Sequence, residues 1–170
     1  MPQQTAEDEA LGDFDPVTFT SSSLFARTFD EGMALVEETA RYLDGKGREE
    51  SRELPRKAAL LYAGESMRVT TRLMQAASWL LVQRAVQEGD MKPEDAAGDR
   101  YRLGSKEICL GGREEGIERR PPMLCDLLER SDNLYRRIAR LDEVLFERPQ
   151  VREPAVKAQF ARLNEAFGSE

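Results

Sequence analysis

Residues 55–89 read PRKAALLYAGESMRVTTRLMQAASWLLVQRAVQEG, and apolar side chains recur through them with the period of an α-helix. One apolar stripe has alternating spacings of four and three, as in a face packed against another helix; it comprises Leu60, Ala63, Met67, Thr70, Met74, Ala77 and Leu81. A second stripe lies beside it and comprises Tyr62, Val69, Leu73, Ala76 and Leu80. Together they are too wide for one neighbour, so we predict a central helix of roughly 50 Å, from Pro55 to Gln87, with the first stripe as its main packing seam.

Two further segments carry amphipathic helical patterns. One runs from Ser22 to Leu43, and its apolar face comprises Phe25, Phe29, Met33, Val36, Ala40 and Leu43. The other runs from Pro122 to Phe146, and its face comprises Leu124, Leu127, Ser131, Leu134, Ile138, Leu141 and Leu145. None of the three helices could be stable alone with so much apolar surface in water. We therefore predict an all-α fold, an antiparallel three-helix bundle over residues 21–147 with a long loop at about residues 90–120.

The two ends of the chain differ from the bundle in composition. Residues 1–20 are acidic and lack sustained periodicity, so we predict a disordered N-terminal tail. Residues 148–170 are predicted to be a flexible C-terminal tail, in which Val156, Phe160, Leu163 and Phe167 recur at helical spacing and can form a short amphipathic helix. This tail either folds in a partner's groove or docks permanently on its own bundle, and the pattern favours neither.

Composition excludes several classes of function. A chain of 170 residues suits one domain, and a formal net charge of -7 argues against a dedicated nucleic-acid binder. No apolar run has the length of a membrane span or the form of a signal peptide, so we predict a cytoplasmic protein with no membrane partner. The absence of histidine excludes Ser-His-Asp and Cys-His nucleophiles, and the two cysteines lack the spacing of a zinc site. The apolar seams show no inward carboxylates and no glycine run has P-loop spacing, so we expect no enzyme activity, cofactor or metal.

A polar stripe follows a third face of the central helix. It comprises Glu65, Arg68, Arg72, Gln75 and Trp79 at steps of three and four. One interpretation is a structural face, on which Glu65 pairs with Arg68 and carboxylates of neighbouring helices pair with Arg72. The other is a partner-binding strip, because Trp and Arg are enriched at dominant contact positions. On the same side, Trp79, Val82 and Val86 are candidates for an exposed homodimer patch.

Three segments in and after the central helix are distinctive: they read GESMRVTTRLMQAASWLLVQRAVQEGDM, YRLG at residues 101–104 and ICLGG at residues 108–112. Together they resemble the RcdA family of alphaproteobacteria, the regulators of CtrA degradation, over roughly Phe19 to Phe146. The resemblance implies a dimer-forming, non-enzymatic adaptor of the ClpXP protease, recruited to ClpX with the response-regulator-like protein CpdR and tethering cargo such as CtrA. The competing interpretation is a helical homodimeric scaffold in signalling or transcription-linked regulation with no protease partner. The expected partner-binding residues are Arg68, Arg72, Trp79, Val82, Val86, Phe160, Leu163 and Phe167.

Overall fold

The structure, a computed structural model, describes residues 16–112 and 121–146. Its helices are α1 (Pro16–Thr20), α2 (Ser23–Asp44), α3 (Lys46–Glu53), α4 (Arg56–Glu88), α5 (Pro93–Ala96), α6 (Lys106–Cys109) and α7 (Pro122–Phe146), with a 3-10 turn at Asp99–Tyr101. No strand occurs in these two ranges. The predicted all-α class is confirmed, and the three long helices α2, α4 and α7 begin and end close to their predicted bounds.

Local chemistry sets the ends of the long helices. Ser22 caps α2, because its Oγ accepts a hydrogen bond of 3.2 Å from the backbone N–H of Phe25. Pro55 precedes α4, and Pro122 begins α7, where a first turn does not need the N–H that proline lacks. α4 ends at Gly89, whose φ of 81° lies in the left-handed region that glycine adopts without strain.

α2 runs antiparallel to both other long helices. The guanidinium of Arg84, late in α4, lies 4.9 Å from the ring centre of Phe29, near the start of α2. One turn further along α2, a Cβ atom added at Gly32 would lie 2.8 Å from Leu80, one turn earlier in α4. The ion pairs between α2 and α7 show the same order: Glu31 pairs with Arg137, and Glu38 pairs with Arg130.

α4 and α7 run in the same direction, which corrects the antiparallel prediction for this pair. Arg72 of α4 pairs with Asp132 of α7, and further along both helices Trp79 bonds to Asp142. A short loop could not produce this arrangement, because the chain must return along the whole bundle before α7 begins. The long segment between the two helices, as far as residue 112, makes that return; we call residues 90–112 the returning connection.

The core is built on the second apolar stripe of α4, not on the first. Val69, Leu73, Ala76 and Leu80 are buried against α2 and α7. The predicted main seam is wrong, because its large side chains are the exposed ones: Leu60 is 67% exposed, Met67 71%, Met74 64% and Leu81 53%. The buried face of α2 is likewise rotated from the predicted one and comprises Phe25, Thr28, Gly32, Leu35, Thr39 and Tyr42.

The short helices α1 and α3 were not predicted from the sequence. Residues 16–20 form α1, so the predicted disorder does not extend to this part of the N-terminal tail. The ring of Phe19 is buried, with its centre 5.5 Å from that of Phe25 and 6.3 Å from that of Trp79. α3 connects α2 to α4 and is almost entirely polar. The remaining residues of both predicted tails, 1–15 and 147–170, lie outside the described residues.

Candidate functional site

The outer face of α4 is an apolar surface that no described part of the chain covers. We define it by the exposed residues of α4 between positions 58 and 83: Leu60, Ala63, Gly64, Met67, Thr70, Met74, Ser78 and Leu81. None of these side chains is charged, and the four large ones recur at intervals of seven residues. Because water solvates such a surface poorly, contiguous exposed apolar residues commonly mark an interaction site.

A groove of about 310 Å³ between α2 and α4 extends the outer face sideways. Its α4 wall includes Thr70, Met74, Ala77 and Leu81, and its α2 wall includes Val36, Ala40 and Leu43. No titratable side chain is among the residues that line it. The groove therefore suits an apolar side chain of a partner better than a charged small molecule. Part of the α2 face predicted to be core forms this wall instead.

The polar stripe of α4 faces away from the outer face and holds the returning connection. Each contact joins an α4 side chain to a backbone group: Arg68 Nη1 donates to the Gly112 carbonyl at 2.8 Å, Arg72 Nε donates to the Cys109 carbonyl at 2.8 Å, and Gln75 Oε1 accepts from the Gly104 N–H at 3.0 Å. Residue numbers in the connection increase as the residue numbers of their α4 partners decrease. The connection therefore runs antiparallel to α4, between it and α7.

Arg72 of the polar stripe has polar contacts with three other residues. Besides the Cys109 carbonyl, it donates to the carbonyl of Leu128 at 3.1 Å and pairs with Asp132 at 2.9 Å. Burial lowers the pKa of Arg72, and the neighbouring carboxylate of Asp132 opposes that shift. Because these acceptors come from both the connection and α7, Arg72 joins three segments of the chain.

Trp79, Asp142 and Arg102 form a second polar contact between the same three segments, which we call the Asp142 cluster. Asp142 is buried on α7 and accepts a hydrogen bond of 2.8 Å from the indole Nε1 of Trp79. It also accepts from Arg102 Nε at 3.0 Å and from Arg102 Nη2 at 2.9 Å. This carboxylate corrects the expectation that no acid points inward, as does the buried side chain of Glu65.

The buried thiol of Cys109 lies beside this contact network and offers no reactive nucleophile. Burial raises the pKa of Cys109, so the thiol stays protonated near neutral pH. Burial also raises the pKa of Tyr135, whose hydroxyl donates to the Gly104 carbonyl at 2.7 Å. Both groups therefore pack and form hydrogen bonds where the connection meets α7.

Two kinds of site are absent from residues 16–112 and 121–146. No group of three or more His, Cys, Asp or Glu side chains is placed to hold a metal ion there. Among the described helices, none is both long and apolar enough to cross a membrane.

Comparisons with known proteins place the chain in a family. The family model described as "Protein of unknown function (DUF1465)" matches residues 17–167. The chain belongs to this family. The crystal structure of RcdA from Caulobacter crescentus CB15 is 52% identical in sequence, with a TM-score of 0.63, and the match covers 75% of this chain and 95% of that one. The resemblance to RcdA is thereby confirmed. Comparison with curated proteins finds no match.

In this RcdA-like fold, the predicted partner-binding residues have different environments. Trp79 and Val86 are buried, so the expected exposed dimer patch is wrong for them, while Val82 is half-buried. Arg72 is buried and Arg68 half-buried, both bound to the returning connection. The structural interpretation of the stripe accounts for them: Arg68 lies 3.7 Å from Glu65, and Arg72 pairs with a carboxylate of α7. The other predicted residues, Phe160, Leu163 and Phe167, lie outside the described residues.

Two features of the site were not predicted from the sequence. Asp142 follows Ser131, Tyr135 and Ile138 on the buried face of α7, so an acid on an apolar face was a visible signal. The outer face was also visible, as the regular stripe that we assigned to the core. Nothing in a single sequence distinguishes an apolar stripe that meets its own chain from one that does not.

Proposed function

We propose that the protein is a non-enzymatic adaptor that helps deliver substrates to the ClpXP protease in the cytoplasm. The observation that carries the proposal is the 52% identity to RcdA over 95% of that chain, because the RcdA resemblance implies this role. The proposed partners are ClpX, acting with a CpdR-like response regulator, and cargo proteins such as CtrA among the cell-cycle and developmental regulators. A second copy of the chain completes the proposed assembly as a homodimer.

The described architecture is compatible with such a role on physical grounds. An adaptor raises the effective concentration of its cargo near the protease, which requires a stable body and accessible binding surfaces. The body is α2, α4 and α7 with the returning connection held by Arg72 and the Asp142 cluster. The accessible apolar surface is the outer face of α4 with its groove.

A reconstituted degradation assay tests the proposal. ClpXP, a CpdR-like regulator and CtrA are combined with and without this protein, and loss of CtrA is followed over time. We expect faster degradation only when the protein is present. A matching pull-down on catalytically inactive ClpP should capture more cargo in its presence. Equal degradation rates and equal capture would refute the adaptor role and favour a homodimeric scaffold without a protease partner.

The C-terminal segment, residues 148–170, is proposed to be a tether for cargo. Replacing Phe160, Leu163 and Phe167 together by serine removes its three largest apolar side chains and keeps its length. A tether predicts an unchanged melting temperature and lost delivery of cargo to ClpXP. A segment docked on the bundle instead predicts a lower melting temperature, because large apolar side chains lose their burial. Wild-type degradation by the variant would refute the tether.

A further inference from the structure

Four of the polar contacts that hold the returning connection involve its backbone. They are made by the side chains of Arg68, Arg72 and Gln75 on α4 and of Tyr135 on α7. Every polypeptide carries backbone carbonyl and N–H groups, so these four contacts do not depend on the side chains of the connection. The polar surface between α4 and α7 is therefore suited to hold a polypeptide segment other than this one.

Three consecutive residues of the connection add selectivity to these backbone contacts. Arg102 binds the buried carboxylate of Asp142, with its Nε and Nη2 atoms 3.0 and 2.9 Å from Oδ2. The side chain of Leu103 is 5% exposed. A Cβ atom added at Gly104 would lie 3.1 Å from Gln75 Oε1. The site therefore fits a cation, a leucine-sized apolar side chain and a glycine in that order. If Arg102 leaves, Asp142 loses its cation, so the carboxylate favours another one in that place.

The connection has few apolar anchors of its own. Among residues 90–112, only Ala96, Leu103 and Cys109 are buried. Its two helices, α5 and α6, have four residues each, which is too short for a helix to be stable alone. The long helices α2, α4 and α7, in contrast, bury their apolar faces against one another. Local opening costs least where buried apolar contacts are few, so the connection can leave while the three long helices stay packed.

Glycines lie at both ends of the connection. Gly89 precedes it with a φ of 81°, and Gly112 is its last residue. A Cβ atom added at either glycine would meet nothing within 4 Å, so both positions have open space around them. Hinges are a few positions at the ends of elements that absorb changes in φ and ψ, and glycine has the widest range of both angles. The two ends of the connection therefore have the properties of hinges.

We propose that the returning connection is a releasable cover over a polypeptide-binding cleft between α4 and α7. When the connection leaves, α2, α4 and α7 remain packed against one another. The cleft then takes a segment of a partner protein that carries a cation, a leucine and a glycine at the positions of Arg102, Leu103 and Gly104. Neither ClpXP nor a second copy of the chain is required for this exchange.

The buried thiol of Cys109 measures the release of the connection. In a Cys125→Ser chain it is the only thiol, and a thiol reagent labels it only while it is exposed. The labelling rate relative to that of a free thiol gives the exposed fraction, and urea unfolding followed by circular dichroism gives the globally unfolded fraction. We expect the exposed fraction to be about 100-fold larger than the globally unfolded fraction and to change little in low urea. Two equal fractions with the same urea dependence would overturn the release.

Two matched substitutions show which part of the chain opens. Leu103 of the connection and Leu35 of α2 are both buried. Leu103→Val weakens an anchor of the connection, so it should raise the labelling rate of Cys109 about 3–10-fold. Leu35→Val should lower the stability of the whole fold and leave the labelling rate unchanged, because α2 does not move when the connection leaves. If both changes raise the labelling rate in proportion to their loss of global stability, Cys109 is exposed by global unfolding and the proposal fails.

A synthetic peptide of residues 99–112 carrying Cys109→Ser tests the cleft itself. The peptide binds only when the connection has left, so it holds the connection out and raises the labelling rate of Cys109 in the protein. Because a tethered segment has an effective concentration of about 1 mM, we expect a peptide concentration of about 100 μM to raise the labelling rate about tenfold.

The matched control is the same peptide with Gly104→Val, whose added side chain crowds Gln75. We expect this control peptide to leave the labelling rate unchanged. Release of the connection without any effect of the first peptide would overturn the cleft as a polypeptide-binding site. Equal effects of the two peptides would overturn the selectivity for glycine.

Discussion

Replacing Asp142 by Asn removes one negative charge where α4, α7 and the returning connection meet. The native carboxylate accepts from the Trp79 indole at 2.8 Å and from Arg102 at 2.9 and 3.0 Å. Asparagine keeps an oxygen for the indole but presents its NH2 group to the guanidinium, so two donors face each other. The variant should therefore separate the role of the charge from that of the indole bond.

The expected loss follows from how deeply the pair is buried. Removing one partner of a buried ion pair costs about 3–5 kcal/mol. The side chain of Arg102 is 19% exposed, so water can solvate part of the guanidinium that loses its carboxylate. We therefore expect the free energy of unfolding to fall by about 2–3 kcal/mol. For a chain of this size, the melting temperature should fall by about 4–12 °C.

Thermal unfolding followed by circular dichroism and by tryptophan fluorescence measures this effect. Trp79 is the only tryptophan, so its emission reports directly on the cluster. Glu37→Gln is the control, because it breaks an exposed pair with Arg41 that is worth about 0–1 kcal/mol. Because these two side chains are in direct contact, adding Arg102→Met to Asp142→Asn should restore about 1–3 kcal/mol of the free energy of unfolding that Asp142→Asn loses. A melting temperature equal to that of the control would refute the idea that this cluster secures the connection.

Three further changes test particular contacts. Gly89→Ala should destabilise the chain by about 1 kcal/mol in urea unfolding, because alanine resists the left-handed cap; an unchanged midpoint would contradict the cap. Tyr135→Phe leaves the Gly104 carbonyl without its hydroxyl donor and should cost about 1–2 kcal/mol, with faster hydrogen exchange in the connection; unaltered exchange would count against the bond. The hydrogen bond from Arg130 lowers the pKa of Glu38 from its ordinary 4.5, so their pairing stabilises the fold above that pH and is lost as pH falls through the lowered value. Glu38→Gln should therefore reduce stability by less than about 1 kcal/mol at neutral pH and match the wild type in acid; a difference that persists in acid would contradict this.

Helices and their ends were predictable because their causes are local. Each helix-end signal acts within one turn of its own position, as do the cap at Ser22, the left-handed glycine Gly89 and the first-turn proline Pro122. Apolar periodicity over twenty or more residues then identifies each long helix. The direction of α7 relative to α4 was not predictable in the same way, because it depends on the path of a connection with little periodicity.

The sequence contains almost no signal that predicts the path of that connection. Arg68, Arg72 and Gln75 bind its backbone groups, which every residue possesses, so their partners could not be identified from side-chain types. Gly104 is the exception, because a Cβ atom there would lie 3.1 Å from Gln75 Oε1. A glycine opposite the half-buried polar side chain of Gln75 is therefore the one local sign of close approach.

The misassigned seam of α4 shows what periodicity measures. Spacings of three and four indicate that a helix face is covered by another helix, but they do not say whether that helix belongs to the same chain. If Met67 and Met74 were core residues, a charge at either would unfold the monomer at any protein concentration. In a dimer that uses the outer face, the same charge leaves the monomer intact and abolishes the rise in melting temperature that increasing concentration otherwise produces. Melting the wild type and Met74→Lys at low and high concentration therefore distinguishes a core seam from an interface. Concentration-independent melting of both chains, with the variant much less stable, would restore the original core assignment.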